Sequence, residues 1–477
     1  MNAAADRLVV GMAQALSLGA ARIDPRNIFD AASYLIARQI FDTPFFPPLE
    51  ATQDATPKLF VGPLEVEPER PGRVFHGVLR RDLFFSDGSS FEPKDLAAAV
   101  REHPNLSRDA RLNLDGHRAT FELESANPKF ELQLAGAPMV FREVGAEVLG
   151  TGAYRLGHAS SAEFVLVRNE HHTEVPPIAE IIFRSYPPDD RGRPRALLTA
   201  LDAGEVDLAP RLTWRDMAHL QRTAKVLRPV NSTGALYMNT ERLKSRGLRR
   251  ALAFALNRLE IAQAAFGDNA LAFQATGLLP PALGRQVDGI AHSLAISRRL
   301  LEEEGSRSTV PLKLATIFSS RPYLPDPLAV AEVVKRQLEK VGVAITVNQP
   351  ANPDAYRDMI VGGDYDLLLS GNIADSSDPA DFLRDMLGSA QIPDSVEKMP
   401  HGFNFARFRD PAFDGTLATY RAERKPEDLQ RLTQILAEEV PIFPLLYGRA
   451  AVAHSWRLKG FQPSVTSAWD FSRLSLR

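Results

Sequence analysis

Apolar residues recur along this chain in two rhythms, one suited to strands and one to helices. Leu8, Val9, Val10 and Met12 cluster as a short buried strand. A helix is predicted from about Asp30 to Phe41, opened by the Asp-Ala-Ala run. Residues 43–75, with FFPPLE and VEPERPGR, are rich in proline and turn formers and make poor helix material. VFHGVL then reads as a strand, Ser86-Asp87-Gly88 as a turn, and EPKDLAAAVREH as a helix with Pro93 near its start. GTGAYRLGHASSAEFVLV, from Gly150 to Val167, predicts a hairpin, and AEIIFRSY (179–186) another strand. RPRALLTALDAGEVDLAP predicts a helix stopped near Gly204 and a short strand. In LRRALAFALNRLEIAQAAFG, Leu248, Leu252, Ala255, Leu256 and Leu259 keep helical spacing, which predicts one amphipathic helix ended by Gly267.

Residues 311–383 hold the most informative pattern. PLKLATIF is a strand by composition. Asp326-Pro327 reads as an N-cap followed by proline at the first helical position. LAVAEVVKRQLEKVG places Val330, Val334, Leu338 and Val341 on one face and stops at Gly342. VAITV is short and β-branched, and DYDLLLS is apolar; both read as strands. Strand, helix, strand and strand is the pattern of an α/β unit with parallel pairing. The fold class expected is therefore α/β.

Ligands of open parallel sheets sit outside the carboxyl ends of the strands. Arg321 follows the end of PLKLATIF and Asp375 the end of DYDLLLS, so both are expected at one edge of one sheet. A guanidinium offers a planar fork to a carboxylate, and a carboxylate accepts from an ammonium group. The pair suits a zwitterion with free amino and carboxyl ends. The plainer reading is that each is a solvated loop residue, or that the two pair with each other or with neighbours.

Composition narrows the classes. The 477 residues are 44% hydrophobic and 24% charged, enough for two or three domains. With 56 basic and 59 acidic residues, the net charge of −3 gives no reason to expect nucleic acid as a partner. Cysteine is absent, which excludes disulfides, thiolate metal sites and cysteine nucleophiles. The opening MNAAADRLVVGMAQ lacks a basic segment followed by a long apolar run, so no export signal is expected within it. A signal already removed and a native cytoplasmic start both stay open.

Segments in order along nearly the whole chain resemble one family. RLVVGMAQ with Ile23-Asp24-Pro25, FFSDGSSFEPKDLAAAV, GTGAYRL and LLTALDAGEVDLAP carry the resemblance in the first half. GLRRALAFALNRLEIAQAAFG, PDPLAVAEVVKRQLEKVGVAITV, GDYDLLLSGNIADSSDPADFL, NFARFRDPAFDGTL and VPIFPLLYG carry it in the second. Together they resemble the family 5 extracellular solute-binding proteins, the peptide- and nickel-binding receptors of ABC transporters. Arg321-Pro322-Tyr323 is similar to the Arg-Pro-Tyr of dipeptide-binding members, whose arginine holds the ligand carboxylate. Asp375 stands at the acidic position that holds the ligand's amino terminus. The sequence departs from the family at Ala153, where proline is usual, and at Asn372, where the family has a tryptophan that walls a side-chain pocket. Asn372 therefore implies a more polar ligand. The stretch from about 100 to 120 looks short, so a reduced accessory subdomain is expected.

The resemblance implies a two-lobed fold that closes about a hinge. Lobe I is expected from 1–42, 148–232 and 450–477, an accessory subdomain from 43–147, and lobe II from 233–449. Expected ligand contacts are Arg321, Asp375, Tyr323, Asn372, Tyr237 and Trp214, although core roles for Tyr237 and Trp214 fit equally well. The expected partners are a small or short-peptide ligand and a transporter permease; the receptor is expected to be monomeric, periplasmic and without cofactor. A cytoplasmic sensor with the same fold is the alternative. An enzyme is not expected. Gly150-Thr-Gly152 lacks the third glycine of a dinucleotide fingerprint, and neither a phosphate-binding loop nor a serine elbow is present. His171-His172 would point to opposite faces of a strand, which disfavours shared metal ligation.

Overall fold

The computed structural model describes residues 6–14, 16, 23–28, 31–49, 53–137, 139–189, 193–267, 273–284, 289–305, 311–318, 320–374, 378–395, 402–462 and 469–477. They divide into two compact units. Unit 1 takes the chain up to Arg228, Asp378, and everything from Ala450 onward; unit 2 takes Pro229–Ala374 and Pro379–Arg449.

Unit 1 begins with β1 (Arg7–Met12), followed by α1 (Ala31–Ile40). A four-stranded antiparallel sheet comes next. Its strands are β2 (Glu65–Val66), β3 (Val74–Val78), β4 (Ala110–Asp115) and β5 (Arg118–Leu123), in the order β2-β3-β5-β4. It shares a core of Phe45, Phe60, Phe121 and Phe130 with α2 (Pro93–Glu102), whose Leu96 and Ala99 are buried. Proline opens α2, and the Asp95 carboxylate accepts from the Glu92 amide at 2.8 Å. Asp95 also holds Arg142 through Nε at 3.1 Å and Nη2 at 2.5 Å.

The main sheet of unit 1 adds β6 (Tyr154–Ala159), β7 (Glu163–Arg168), β8 (Glu180–Ser185) and β9 (Leu208–Leu212) in the order β6-β7-β8-β1-β9. β6 and β7 form the predicted antiparallel hairpin, and β1 runs parallel to both β8 and β9. Residues 451–454 pair with β9. Between β8 and β9, α3 (Arg195–Ala203) ends at Gly204, whose φ of 78° is the left-handed cap that glycine accepts without strain. Gly150 and Gly152 lie against the last turn of α1. A Cβ on Gly150 would stand 2.0 Å from the Ile40 carbonyl oxygen, and the Gly152 amide donates to that oxygen at 2.8 Å. Close backbone approach accounts for this Gly-x-Gly.

Unit 2 contains the rest of β10 (Ala224–Met238), which begins in unit 1. The stretch predicted as one helix is two, α4 (Arg246–Ala255) and α5 (Arg258–Phe266). The apolar spacing continues across the break, but the Asn257 side chain accepts from the amides of Leu259 at 3.0 Å and Glu260 at 3.3 Å. An N-cap thus starts a second helix where periodicity alone suggests continuation.

The predicted α/β unit follows as β11 (Leu312–Thr316), α6 (Pro327–Glu339), β12 (Ile345–Asn348), α7 (Pro353–Gly362) and β13 (Leu367–Ile373). The Asp326 carboxylate caps α6 by accepting from Ala329 N at 3.1 Å. β11 is parallel to β12 on one side and to β13 on the other, as the strand pattern predicts. After α8 (Pro379–Leu387) and α9 (Pro426–Glu439) comes β14 (Ile442–His454), giving the order β14-β10-β13-β11-β12. Leu368, Ala315 and Tyr237 on the sheet meet Phe382, Leu383 and Met386 of α8 in one buried core.

Candidate functional site

Parallel pairing of β11 and β13 brings their carboxyl ends to one rim of unit 2. The chain leaves β11 through Ile317, whose carbonyl accepts from Gln349 Nε2 at 3.0 Å, and through Phe318. It then turns sharply. Arg321 N donates to Leu324 O at 3.0 Å and Leu324 N returns to Arg321 O at 2.9 Å, with Pro322 and Tyr323 at the tip. Proline's fixed φ suits the second position of such a turn. Arg321 itself is half-buried. Its Nη1 donates to Ser320 O at 3.0 Å, and its guanidinium carbon lies 5.4 Å from the Phe318 ring centroid. Phe318 meets Tyr356 of α7 edge-on at 5.7 Å. The Tyr356 hydroxyl lies 3.0 Å from Ser370 Oγ on β13. Burial raises the Tyr356 pKa, with the Ser370 bond opposing, so this phenol is neutral in the physiological range. A fixed cation on an aromatic and hydroxyl-bearing wall can receive a carboxylate and exclude some of the water that would compete for it.

Asn372 lies on β13 opposite Thr233 and is 9% exposed. Tyr323 is buried, and its hydroxyl donates to Gly371 O at 3.2 Å, so it supports the Arg321 turn from beneath. Tyr237 is a correction to the expected contacts. It is 0% exposed, packs its ring 5.4 Å from Phe405 and belongs to the core of unit 2. The alternation of β10 turns this residue inward, a choice that a single tyrosine in an apolar strand does not disclose. Trp214 opens the short helix Trp214–Ala218, but its side chain falls outside the description; Asp375 lies outside the described residues altogether. The two earlier acids of DYDLLLS have structural partners. Asp366 accepts from Lys313 N at 2.8 Å and Arg242 Nε at 2.7 Å, and Asp364 pairs with Lys313 Nζ at 2.6 Å.

Gln349, Tyr356 and Ser370 reach the loop of Phe318 and Arg321, directly or through one another, only in three dimensions. Asn352-Pro353, an N-cap followed by proline, was the available signal for the helix that carries Tyr356. His172 Nδ1 is satisfied locally, 2.7 Å from the Glu174 carbonyl, while His171 lies against Gly88. Among the described residues no three His, Asp or Glu side chains are grouped to hold a metal, and no helix is long and apolar enough to cross a membrane.

The model of the bacterial extracellular solute-binding proteins, family 5 Middle, matches residues 64–394. The probable ABC transporter periplasmic-binding protein SapA of Escherichia coli is 27% identical over 378 residues, 73% of this chain and 66% of that protein. Di/tripeptide-binding protein 2 of Pseudomonas aeruginosa is 29% identical over 256 residues, 52% of this chain and 46% of that protein. The chain thus spans less than two thirds of the length of these curated relatives. The crystal structure of a dipeptide binding protein from Pseudoalteromonas sp. SM9913, in complex with Met-Leu, superimposes with a TM-score of 0.85 at 17% identity, covering 99% of this chain and 100% of that one. This likeness establishes the expected α/β, two-domain binding-protein fold. With two thirds of its length matched by the family model, the chain belongs to the family 5 bacterial extracellular solute-binding proteins.

Proposed function

We propose that this chain is the substrate-binding component of an ABC importer and captures a dipeptide, oligopeptide or similar small zwitterionic or polar ligand. The observation that carries the reading is Arg321, held by a closed turn at the carboxyl-end rim of parallel strands and backed by Phe318. Open α/β sheets bind ligands at that edge, and a guanidinium there suits a carboxylate. The relatives' names support the same class: one is called an ABC transporter periplasmic-binding protein, another a di/tripeptide-binding protein.

In this reading Arg321 takes the ligand carboxylate and Asp375 its ammonium group. Asn372 offers its amide to a polar ligand group, Tyr323 supports the turn, and Trp214 stands as a further contact. The receptor works as a periplasmic monomer, delivers its ligand to a membrane permease and performs no catalysis. Native mass spectrometry of the purified protein identifies the co-purified ligand, and calorimetry then measures its affinity. Arg321→Ala and Asp375→Ala are each expected to weaken binding by about 2–5 kcal/mol, the cost of truncating one partner of a desolvated charge pair. Unchanged affinity in Asp375→Ala would remove that residue from the site. Unchanged affinity in both variants would end the zwitterion reading.

A further inference from the structure

Three glycines on three neighbouring strands of unit 2 lie under the tip of the Arg321 turn. They are Gly448 on β14, Gly234 on β10 and Gly371 on β13, the last two opposite each other in register. A Cβ on Gly234 would stand 2.5 Å from the Tyr323 carbonyl oxygen, and one on Gly371 would stand 2.7 Å from Cδ2 and Cε2 of the Tyr323 ring. A Cβ on Gly448 would meet Tyr323 N at 3.2 Å and the Pro322 carbonyl carbon at 3.3 Å. None of the three has positive φ, so space and not backbone conformation excludes a side chain. Gly371 and Gly448 have additional close neighbours, Thr233 O at 2.3 Å and Ser232 Oγ at 2.1 Å, whereas the three nearest atoms to the Gly234 Cβ position all belong to Tyr323.

We propose that Gly234, Gly371 and Gly448 form a seat, bare of side chains, that fixes the Pro322-Tyr323 tip and thereby the position of the Arg321 guanidinium. They act as positioning residues for carboxylate recognition, which rests on the reading of Arg321 given above. The turn is closed on itself by its two backbone bonds, so it moves as one body when its tip is lifted. Raising the 2.5 Å contact at Gly234 to the ordinary 3.4 Å displaces the turn by about 1 Å, beyond the tolerance of about 0.5 Å that a binding constellation allows.

The test uses Gly234→Ala, with Gly448→Ala, whose Cβ meets the turn itself only at 3.2 Å and otherwise displaces the Ser232 hydroxyl, as the looser contact with the turn, and Gly415→Ala, which has nothing within 4 Å, as control. Crystal structures of the ligand-free variants read the position directly. Arg321 is expected to shift by about 1 Å in Gly234→Ala, less in Gly448→Ala and not at all in Gly415→Ala. Calorimetry with the dipeptide Ala-Gln and its C-terminal amide reads the consequence. Gly234→Ala is expected to weaken the free acid about tenfold, leave the amide within about twofold and add nothing in an Arg321→Ala background. An unmoved Arg321 in the Gly234→Ala crystal overturns the seat whatever binds. Equal losses for acid and amide, or full additivity with Arg321→Ala, also overturn it. If Arg321→Ala alone leaves Ala-Gln binding intact, the carboxylate reading fails instead, while the crystal structures still decide whether the glycines position the turn.

Discussion

Arg249→Ala tests whether one arginine holds together the chain segments that frame unit 2. Arg249 is 3% exposed within α4. Its Nε donates to the Glu439 carbonyl at 2.8 Å, and its Nη1 to Leu243 O at 2.9 Å and Lys244 O at 3.0 Å. Nη2 reaches the Glu439 carboxylate at 3.0 Å, at the end of α9. Burial pulls its pKa below the usual arginine value, with Glu439 opposing that pull. Truncation removes four charge-assisted bonds, each worth about 1.5–3 kcal/mol net when its partner is left dry. Recovery is partial, because the Glu439 side chain is 28% exposed and keeps Arg246 at 3.4 Å. The expected loss is therefore about 3–5 kcal/mol, the usual cost of breaking a buried pair from one side. For a unit of roughly 200 residues this lowers the melting temperature by about 6–20 °C.

Assay choice follows from residue placement. All three tryptophans (Trp214, Trp456 and Trp469) belong to unit 1, so their fluorescence is the wrong probe. Far-UV circular dichroism in urea, with hydrogen exchange of the α4 and α9 amides, reads unit 2. Arg249→Lys keeps the charge but not the fork and should recover at most half of the loss. Glu439→Gln should cost about 1 kcal/mol, since the arginine keeps its carbonyl partners. A loss below about 1 kcal/mol in Arg249→Ala would refute the bridging argument. A Glu439→Gln variant as unstable as Arg249→Ala would show that the charge pair and not the carbonyl bridging carries the energy.

Two further perturbations test local claims. Asn257→Ala removes the cap that divides α4 from α5 and should cost about 1 kcal/mol, with faster exchange confined to the first turn of α5. An unchanged exchange profile would mean that packing alone makes the break. Arg142→Ala removes the two bonds to Asp95, one to Ser89 Oγ at 2.9 Å and a stacking contact 4.2 Å from the Phe85 ring. It should destabilise the β2–β5 region by about 2–4 kcal/mol in urea melts, and Asp95→Asn should recover part of that loss. Full stability of Arg142→Ala would show that Asp95 needs only the Glu92 amide.

Legibility in the sequence followed the range of the interaction. Caps and stops were readable because they act within a few residues. Asp326-Pro327 starts α6, Pro93 opens α2 and Gly204 ends α3. The parallel order of β11 and β13 was readable from strand-helix-strand alternation. The break at Asn257 was not, because an asparagine within apolar periodicity fits a helix interior as well as a cap. The side on which Tyr237 lies was not readable either. Alternation along β10 gives two faces, and only pairing with β13 and the helices beyond it decides which one is buried.

The sequence by itself determined the family, through ordered segments along the chain, and the presence of Arg321 just past a strand of an α/β unit. Tertiary structure decided what surrounds that arginine. Phe318 shares its loop, whereas Gln349, Tyr356 and Ser370 arrive from other elements to line that loop. Gly234, Gly371 and Gly448, far apart in the chain, come together beneath one turn. The physical reason is that a side chain's reach is local, whereas bare space under a backbone turn exists only where three strands lie side by side.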